Sequence, residues 1–200
     1  MVRAASGADA GAEPVPQRLL AVATRLFADQ GFETTSVQQI VDAAGVTKGA
    51  MYHYFDSKDD LLSEIYSRLL REQTARLEVA ADRDAPVQER LHAVAVDVVV
   101  TTAANLDDTV IFFRSMHLLH PDKQAEVRAA RRRYHERVRA LVQEGQASGV
   151  FRSDKSADLV VDFFYGAVHH LGTWFHQGGE LTGEQVGEHF ADLLLASLRP

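Results

Sequence analysis

Three sets of side chains in this 200-residue chain have the types and spacing to do chemistry: polar residues between Thr34 and Lys58, histidines of the second half, and the arginines from Arg128 to Arg139. In the first set, Lys48, Tyr52 and His53 stand at i, i+4 and i+5, which gathers them on one broad face of a helix. Lys48 offers a cation to a phosphate or a guanine, and Tyr52 a hydroxyl to a phosphate. Gly49 and Ala50 keep that helix slim at its start and allow close approach. His53 has three readings, a base contact, a phosphate contact or none, and Thr34 is either a turn residue or a phosphate donor. Thr35, Ser36 and Thr47 place hydroxyls beside the free amides of helix N-termini, where anions are favoured. Lys58 opens a further helix. It is either a solvated helix-start lysine or a phosphate contact, and because a cation is disfavoured there unless an anion joins it, Lys58 is counted with the phosphate contacts.

The second and third sets are weaker. His117 and His120 lie three apart, and His169, His170 and His176 cluster further on, a spacing that could share a metal on helices. No nearby acid completes a ligand set, and His169 and His170 point to different faces, so these are read as surface or pocket-polar histidines. There is no cysteine, no phosphate loop, no dinucleotide fingerprint and no nucleophile elbow, so no cofactor, metal or catalytic residue is expected and the chain is not read as an enzyme. Arg128, Arg131, Arg132, Arg133, Arg137 and Arg139 read mostly as a solvated face balanced by Glu126, Glu136 and Glu144. The sharper reading has one or two of them reaching an anionic effector.

Helices must position these groups. Ser36 and Gln39 have capping-box spacing, Val37, Ile40, Val41 and Ala44 form an apolar stripe, and Gly45 stops that helix. Thr47 caps a second short helix through Met51 to Phe55, in which Tyr54 and Phe55 read as packing residues. Two helices about a glycine turn form a helix-turn-helix, whose second helix enters the DNA major groove. Upstream, a helix from Pro16 to Gly31 buries Leu19, Leu20, Ala23, Leu26 and Phe27. Downstream, helices are expected over about Lys58–Ala81, from Pro86 through Val100, from Asp107 past Leu119, and from Pro121 to Gly145 or Gly149. Another, capped by Ser153-Asp154, is expected over Asp158–His176 and closed by Gly178-Gly179. Thr182 and Gln185 give a second capping box before a last helix ending at Leu198. The fold class is all-α: a disordered arm over residues 1–15, a three-helix DNA-binding domain over 16–60, and a larger effector-binding and dimerisation domain over 61–200.

Residues 159–175 are apolar around most of a helical circumference, so they need cover on two sides. The expected dimer interface is Phe164, Val168, Leu171 and Phe175 with Val186, Phe190, Leu193 and Leu194 of the last helix. A twofold dimer in turn requires a palindromic operator. Candidate effector contacts among the middle helices are Phe113, Met116, His117, Tyr134, Tyr165, His169 and Trp174. Charge gives no basic footprint: 21 lysines and arginines against 28 acids leave −7, so DNA contact must come from placement and its salt dependence should be modest. No apolar run approaches the ~20 residues that span a bilayer, and a cytoplasmic protein is expected.

The Thr34-Thr35 start, Ile40, Ala44-Gly45-Val46, Gly49, Tyr52-His53-Tyr54-Phe55 and Lys58-x-x-Leu61, with Ala23-x-x-Leu26-Phe27 and Gly31-Phe32 upstream, resemble the DNA-binding signature of the TetR family of bacterial transcriptional regulators. The resemblance covers about the first third of the chain and implies a dimeric, all-helical, ligand-responsive regulator, usually a repressor. Glu144-Gly145, Gly149-Val150-Phe151, Trp174, Gly178 to Thr182 and Glu184 to Gly187 resemble actinobacterial TetR regulators of steroid and fatty-acid breakdown, some of which respond to acyl-coenzyme A thioesters. That resemblance implies a small apolar or amphipathic effector, extending to an acyl-coenzyme A. The alternative is a helical lipid- or acyl-binding protein whose helix-turn-helix does not function.

Overall fold

The computed structural model describes residues 13–200, so the arm expected over 1–15 lies almost wholly outside the described residues. Nine α-helices and two single 3-10 turns follow one another with no strand among the described residues: α1 Val15–Gln30, α2 Val37–Ala44, α3 Lys48–Tyr54, α4 Lys58–Ala81, α5 Val87–Ala104, α6 Leu106–Ser115, α7 Pro121–Ala147, α8 Ala157–His169 and α9 Gly183–Ser197. The chain is all-α, as the periodicity requires.

Local chemistry explains most boundaries. The Ser36 hydroxyl accepts from the Gln39 amide at 3.2 Å while Gln39 Oε1 accepts from the Ser36 amide at 2.8 Å, so two orphan donors of α2 are satisfied reciprocally. Gly45 ends α2 at φ +64°, a left-handed backbone open to glycine at no steric cost. Thr47 caps α3 through the Ala50 amide, and Thr182 with Gln185 completes the second capping box. The valine run Val98-Val99-Val100 lies inside α5, because its apolar faces pack against other helices and no strand is there to pair with it.

Two apolar cores organise the helices. One gathers α1–α3 and the first half of α4 around Leu19, Phe27, Ile40, Met51, Leu61 and Ile65, and it draws in Ile111 from α6, Leu119 from the link that follows and Val127 from α7. The other lies among the end of α4, α5, α7, α8 and α9, centred on Leu91, Val99, Leu141 and Leu171. The first is therefore a composite, completed by residues more than forty positions beyond the helix-turn-helix.

Three expectations are corrected. Helix α8 is capped by Ser156, whose hydroxyl accepts from the Leu159 amide, while Asp154 pairs instead with Arg152. It ends at His169 rather than His176: Leu171 turns fully into the core, Gly172 and Thr173 are poor helix formers, and the Thr173 hydroxyl takes the His170 carbonyl at 2.7 Å. Most residues expected at a dimer interface face the protomer's own core. Phe164, Val168, Leu171, Val186 and Leu194 are buried inside the protomer's own core, and Phe175 and Phe190 pack at its edge. Of that set Leu193 alone stands well out, at 68% exposure, and the other large apolar side chains facing outward on α8 are Leu159 and Phe163, the latter 71% exposed.

Candidate functional site

The outer face of α2 and α3 collects the polar residues that the sequence singles out. Thr47, Lys48, Gly49, Tyr52 and His53 are all exposed, and Met51 between them is fully buried and fixes the helix to its core. Ser36 is exposed at the start of α2, where the Val37 and Gln38 amides are free of helical partners. The acid on this face is quieted locally: Gln38 Nε2 donates to Asp42 Oδ1 at 2.7 Å. Tyr54, expected as a packing residue, is half exposed and sets its ring edge-on to His53 at 4.8 Å, which extends the aromatic surface.

Two residues placed on this interface are engaged elsewhere. Thr35 is 1% exposed; its hydroxyl donates to the Gly31 carbonyl at 2.7 Å and accepts from Gln30 Nε2 at 3.1 Å, so it ties the end of α1 to α2. Lys58 donates to the Phe32 carbonyl at 2.6 Å and the Thr35 carbonyl at 2.8 Å, with its ammonium 4.3 Å from the Phe32 ring centroid. Its cation closes the α1–α2 loop onto α4. The N-terminus of α4 needs no outside anion either, because Asp59 and Asp60 sit in its first turn and Ser57 caps Asp60.

A second feature is a cavity of about 100 Å³ between α4, α5, α6, α7 and α8. Its apolar wall includes Leu69, Leu70, Val98, Phe112 and Val168. Phe113, Tyr134, Tyr165 and His169 stand on the wall, whereas Met116, His117 and Trp174 do not: Met116 packs into the helix-turn-helix core, His117 faces solvent, and Trp174 lies against Phe190. Arg131, His135 and Asp108 join the polar lining with Gln73, Thr102 and Thr109; of these the sequence points to Arg131 alone, as one of the arginines able to reach an anionic effector. For two of them the signal was spacing: Arg131 and His135 form an i, i+4 pair on the arginine-rich helix, as do Tyr165 and His169 on the apolar one, and two such pairs can face each other.

The polar groups here are imperfectly matched. His135 stacks on Tyr165 at 4.0 Å, and burial, aided by the nearby Arg131 cation, pushes its pKa down to about 4. The same causes, with His135 added, lower His169 to about 4. Both imidazoles are therefore neutral near pH 7. The Tyr134 and Tyr165 hydroxyls approach one another, yet neither completes a hydrogen bond. Asp108 is buried against Thr24 of α1, each with an unpaired side-chain oxygen, and burial raises its pKa to about 6. The same helix α6 thus forms a cavity wall and the floor of α1. Tyr66 of α4 locks it there by donating to the Ile111 carbonyl at 2.9 Å. At its far end, Lys123 of α7 pairs with Asp60, and the His120 amide donates to Asp59 at 3.3 Å, which fastens the start of α4 to α7.

Comparison with known proteins agrees with this division. Residues 19–65 match the family model of bacterial regulatory proteins of the tetR family, and residues 84–198 match the tetracyclin repressor-like C-terminal domain. The transcriptional repressor KstR2 of Mycolicibacterium smegmatis is 28% identical over 95% of this chain and 94% of its own. Among solved structures, PfmR of Thermus thermophilus is 31% identical with a TM-score of 0.83, covering 92% of this chain and all of that one. The ketosteroid transcriptional regulator KstR2 of Mycobacterium tuberculosis is 26% identical with a TM-score of 0.84, covering 95% of this chain and 97% of that one. The chain belongs to the TetR family of bacterial transcriptional regulators.

Proposed function

We propose that this protein is a homodimeric repressor that holds a palindromic operator through α2 and α3 and releases it when a small amphipathic ligand occupies the cavity. The observation that carries this reading is the double use of α6. Asp108, Thr109, Phe112 and Phe113 line the cavity, while Ile111 on the same helix, and Met116 just past its end, pack into the helix-turn-helix core. A ligand that displaces the wall moves the floor of α1, and only a difference in its affinity for the two arrangements can shift the equilibrium, by ~1–3 kcal/mol in ordinary allostery.

On this reading the contacts to DNA are Ser36, Thr47, Lys48, Gly49, Tyr52 and His53, joined by Tyr54, while Thr35 and Lys58 position them. The two subunits meet through the outward apolar side of α8 and α9, where Leu159, Phe163 and Leu193 would otherwise remain in water. An acyl-coenzyme A effector is compatible in one form: exposed Arg128, Arg132 and Arg133 on α7 are available to phosphates outside, with the acyl end entering the cavity. The site of action is the bacterial cytoplasm, where operator DNA lies. Selection of duplexes from a random library, followed by footprinting, tests the whole proposal. A protected palindrome with about one helical turn or more between half-sites is expected; a dimer that selects no duplex refutes it and favours a lipid- or acyl-binding protein.

A further inference from the structure

The cavity holds one cation with no counter-ion. No carboxylate stands within salt-bridge distance of Arg131 among the described residues, although Arg137 and Arg139 on the same helix pair with Glu78, Asp82 and Asp158. The guanidinium instead lies over the Phe112 ring at 4.5 Å and makes a 3.3 Å contact with His169 Nε2. Burial penalises it enough to lower even an arginine's pKa. Asp108, the acid of the same cavity, feels the more distant Arg68 cation rather than Arg131, and makes an ion pair with neither. With His135 and His169 neutral, the charge left unanswered beside the aromatic wall is a single positive one.

A second, independent mismatch lies alongside. Tyr134 and Tyr165 are each 4% exposed, both line the cavity, and both keep an unpaired hydroxyl. Buried hydroxyls without partners are costly, and natural structures rarely keep two together without a ligand or an ordered water to meet them. Size narrows the choice. A closed cavity of about 150 Å³ accepts benzene; this partly open one, about 100 Å³, takes about four non-hydrogen atoms inside, with room for a few more at its mouth.

Resting on the regulator reading for its biological sense, we propose that the effector is a short-chain free carboxylate, on the scale of butyrate, whose anionic head is held by Arg131 and the Tyr134 and Tyr165 hydroxyls while its alkyl tail fills the wall of Leu69, Val98 and Phe112. A carboxylate matches a planar guanidinium through two parallel hydrogen bonds. A thioester carbonyl brings no charge to this position.

Isothermal titration of the full chain with butyrate, butyramide, decanoate and butyryl-coenzyme A tests the assignment. Butyrate binds; the isosteric neutral butyramide binds roughly tenfold or more weakly, the ordinary scale of a charge-assisted hydrogen bond. Arg131→Gln removes the preference for the anion, and retention of operator binding by that variant shows that it is folded. Tyr134→Phe, which deletes an unpaired hydroxyl and so leaves the melting temperature unchanged or raised, weakens butyrate several-fold. Equal binding of butyrate and butyramide overturns the proposal, as does binding of butyryl-coenzyme A or decanoate in preference to butyrate. A protein that holds its selected duplex but binds none of these acids refutes the ligand class and leaves the regulator reading intact. One that binds butyrate through Arg131 yet selects no duplex refutes the regulator reading alone.

Discussion

Asp108 gives the sharpest test of the energetics. Its carboxyl is 6% exposed, lacks a partner for one oxygen, and titrates near 6 instead of the usual 3.8. A raised acid holds its proton in the folded state over a range where the unfolded chain has already lost it. Stability therefore falls as pH rises through that window, and it stays low above it. About two pKa units at 1.36 kcal/mol each correspond to ~3 kcal/mol at pH 7.5, an upper figure because the residue borders a cavity. Asp108→Asn cannot ionise, and its amide can donate to the unpaired Thr24 hydroxyl. We expect the variant to be more stable than the parent at pH 7.5 by up to ~3 kcal/mol, or ~6–12 °C for a chain of this size. The difference should shrink as pH falls and vanish near pH 4. His135 and His169 are lowered, so they contribute stability that is lost in acid as pH falls from about 6.5 towards 4. Both proteins carry them, and the difference curve isolates Asp108. Urea unfolding at fixed protein concentration across pH 4.5–8 measures it. A variant less stable than the parent at pH 7.5, or a difference independent of pH, would show that the carboxylate has a partner and that the reasoning is wrong.

Other expectations follow from packing and placement. Lys58→Ala should lower the melting temperature as well as operator affinity, because it strands the Phe32 and Thr35 carbonyls near the α1–α2 loop; loss of ~1–3 kcal/mol in denaturant unfolding is the scale, and unchanged stability would return Lys58 to the DNA. Phe163→Glu with Leu193→Glu should give a monomer by analytical ultracentrifugation with helical content intact, and a persisting dimer would place the interface elsewhere. Gly145→Ala should cost ~1–3 kcal/mol by overpacking, since an added Cβ would fall 2.0 Å from the Phe151 ring; a neutral substitution would mean that Phe151 is not seated there.

Features decided within four residues were legible in the sequence. The Ser36–Gln39 and Thr182–Gln185 boxes, the Gly45 turn and the Thr47 cap are fixed by local hydrogen bonds, and they delimit the helix-turn-helix and α9. Lys58 failed because its partners are carbonyls 23 and 26 positions upstream, which spacing on its own helix cannot reveal. The faces of α8 failed for a different reason. A helix apolar almost all round states that two partners exist, but its periodicity does not say which face meets its own core. Asp108 is a first-turn acid of α6, a position that favours exposure; tertiary packing of α6 on α1 turned it inward.

These placements change what the formally neutral recognition segment can do. Between residues 34 and 58 the cations are Lys48 and Lys58 and the acids Asp42 and Asp56. Lys58 is held by backbone carbonyls and Asp42 by Gln38, so Lys48 is the lysine of this segment left to meet phosphate. Each phosphate neutralised on duplex DNA contributes about −0.9 to the slope of log affinity against log salt. A dimer using one Lys48 per half-site therefore gains about −1.8 from this segment. The hydroxyls of Thr47 and Tyr52 and the amides at the start of α2 add orientation without adding to the slope. Fluorescence anisotropy on a selected duplex at several salt concentrations reads the value directly. Lys48→Ala should remove about 1.8 from the slope, whereas Tyr52→Phe should weaken affinity at every salt concentration and leave the slope unchanged. If Lys48→Ala leaves the slope as it was, the cations that bind DNA lie outside α3, and the recognition face drawn here reads the duplex by shape and hydrogen bonding alone.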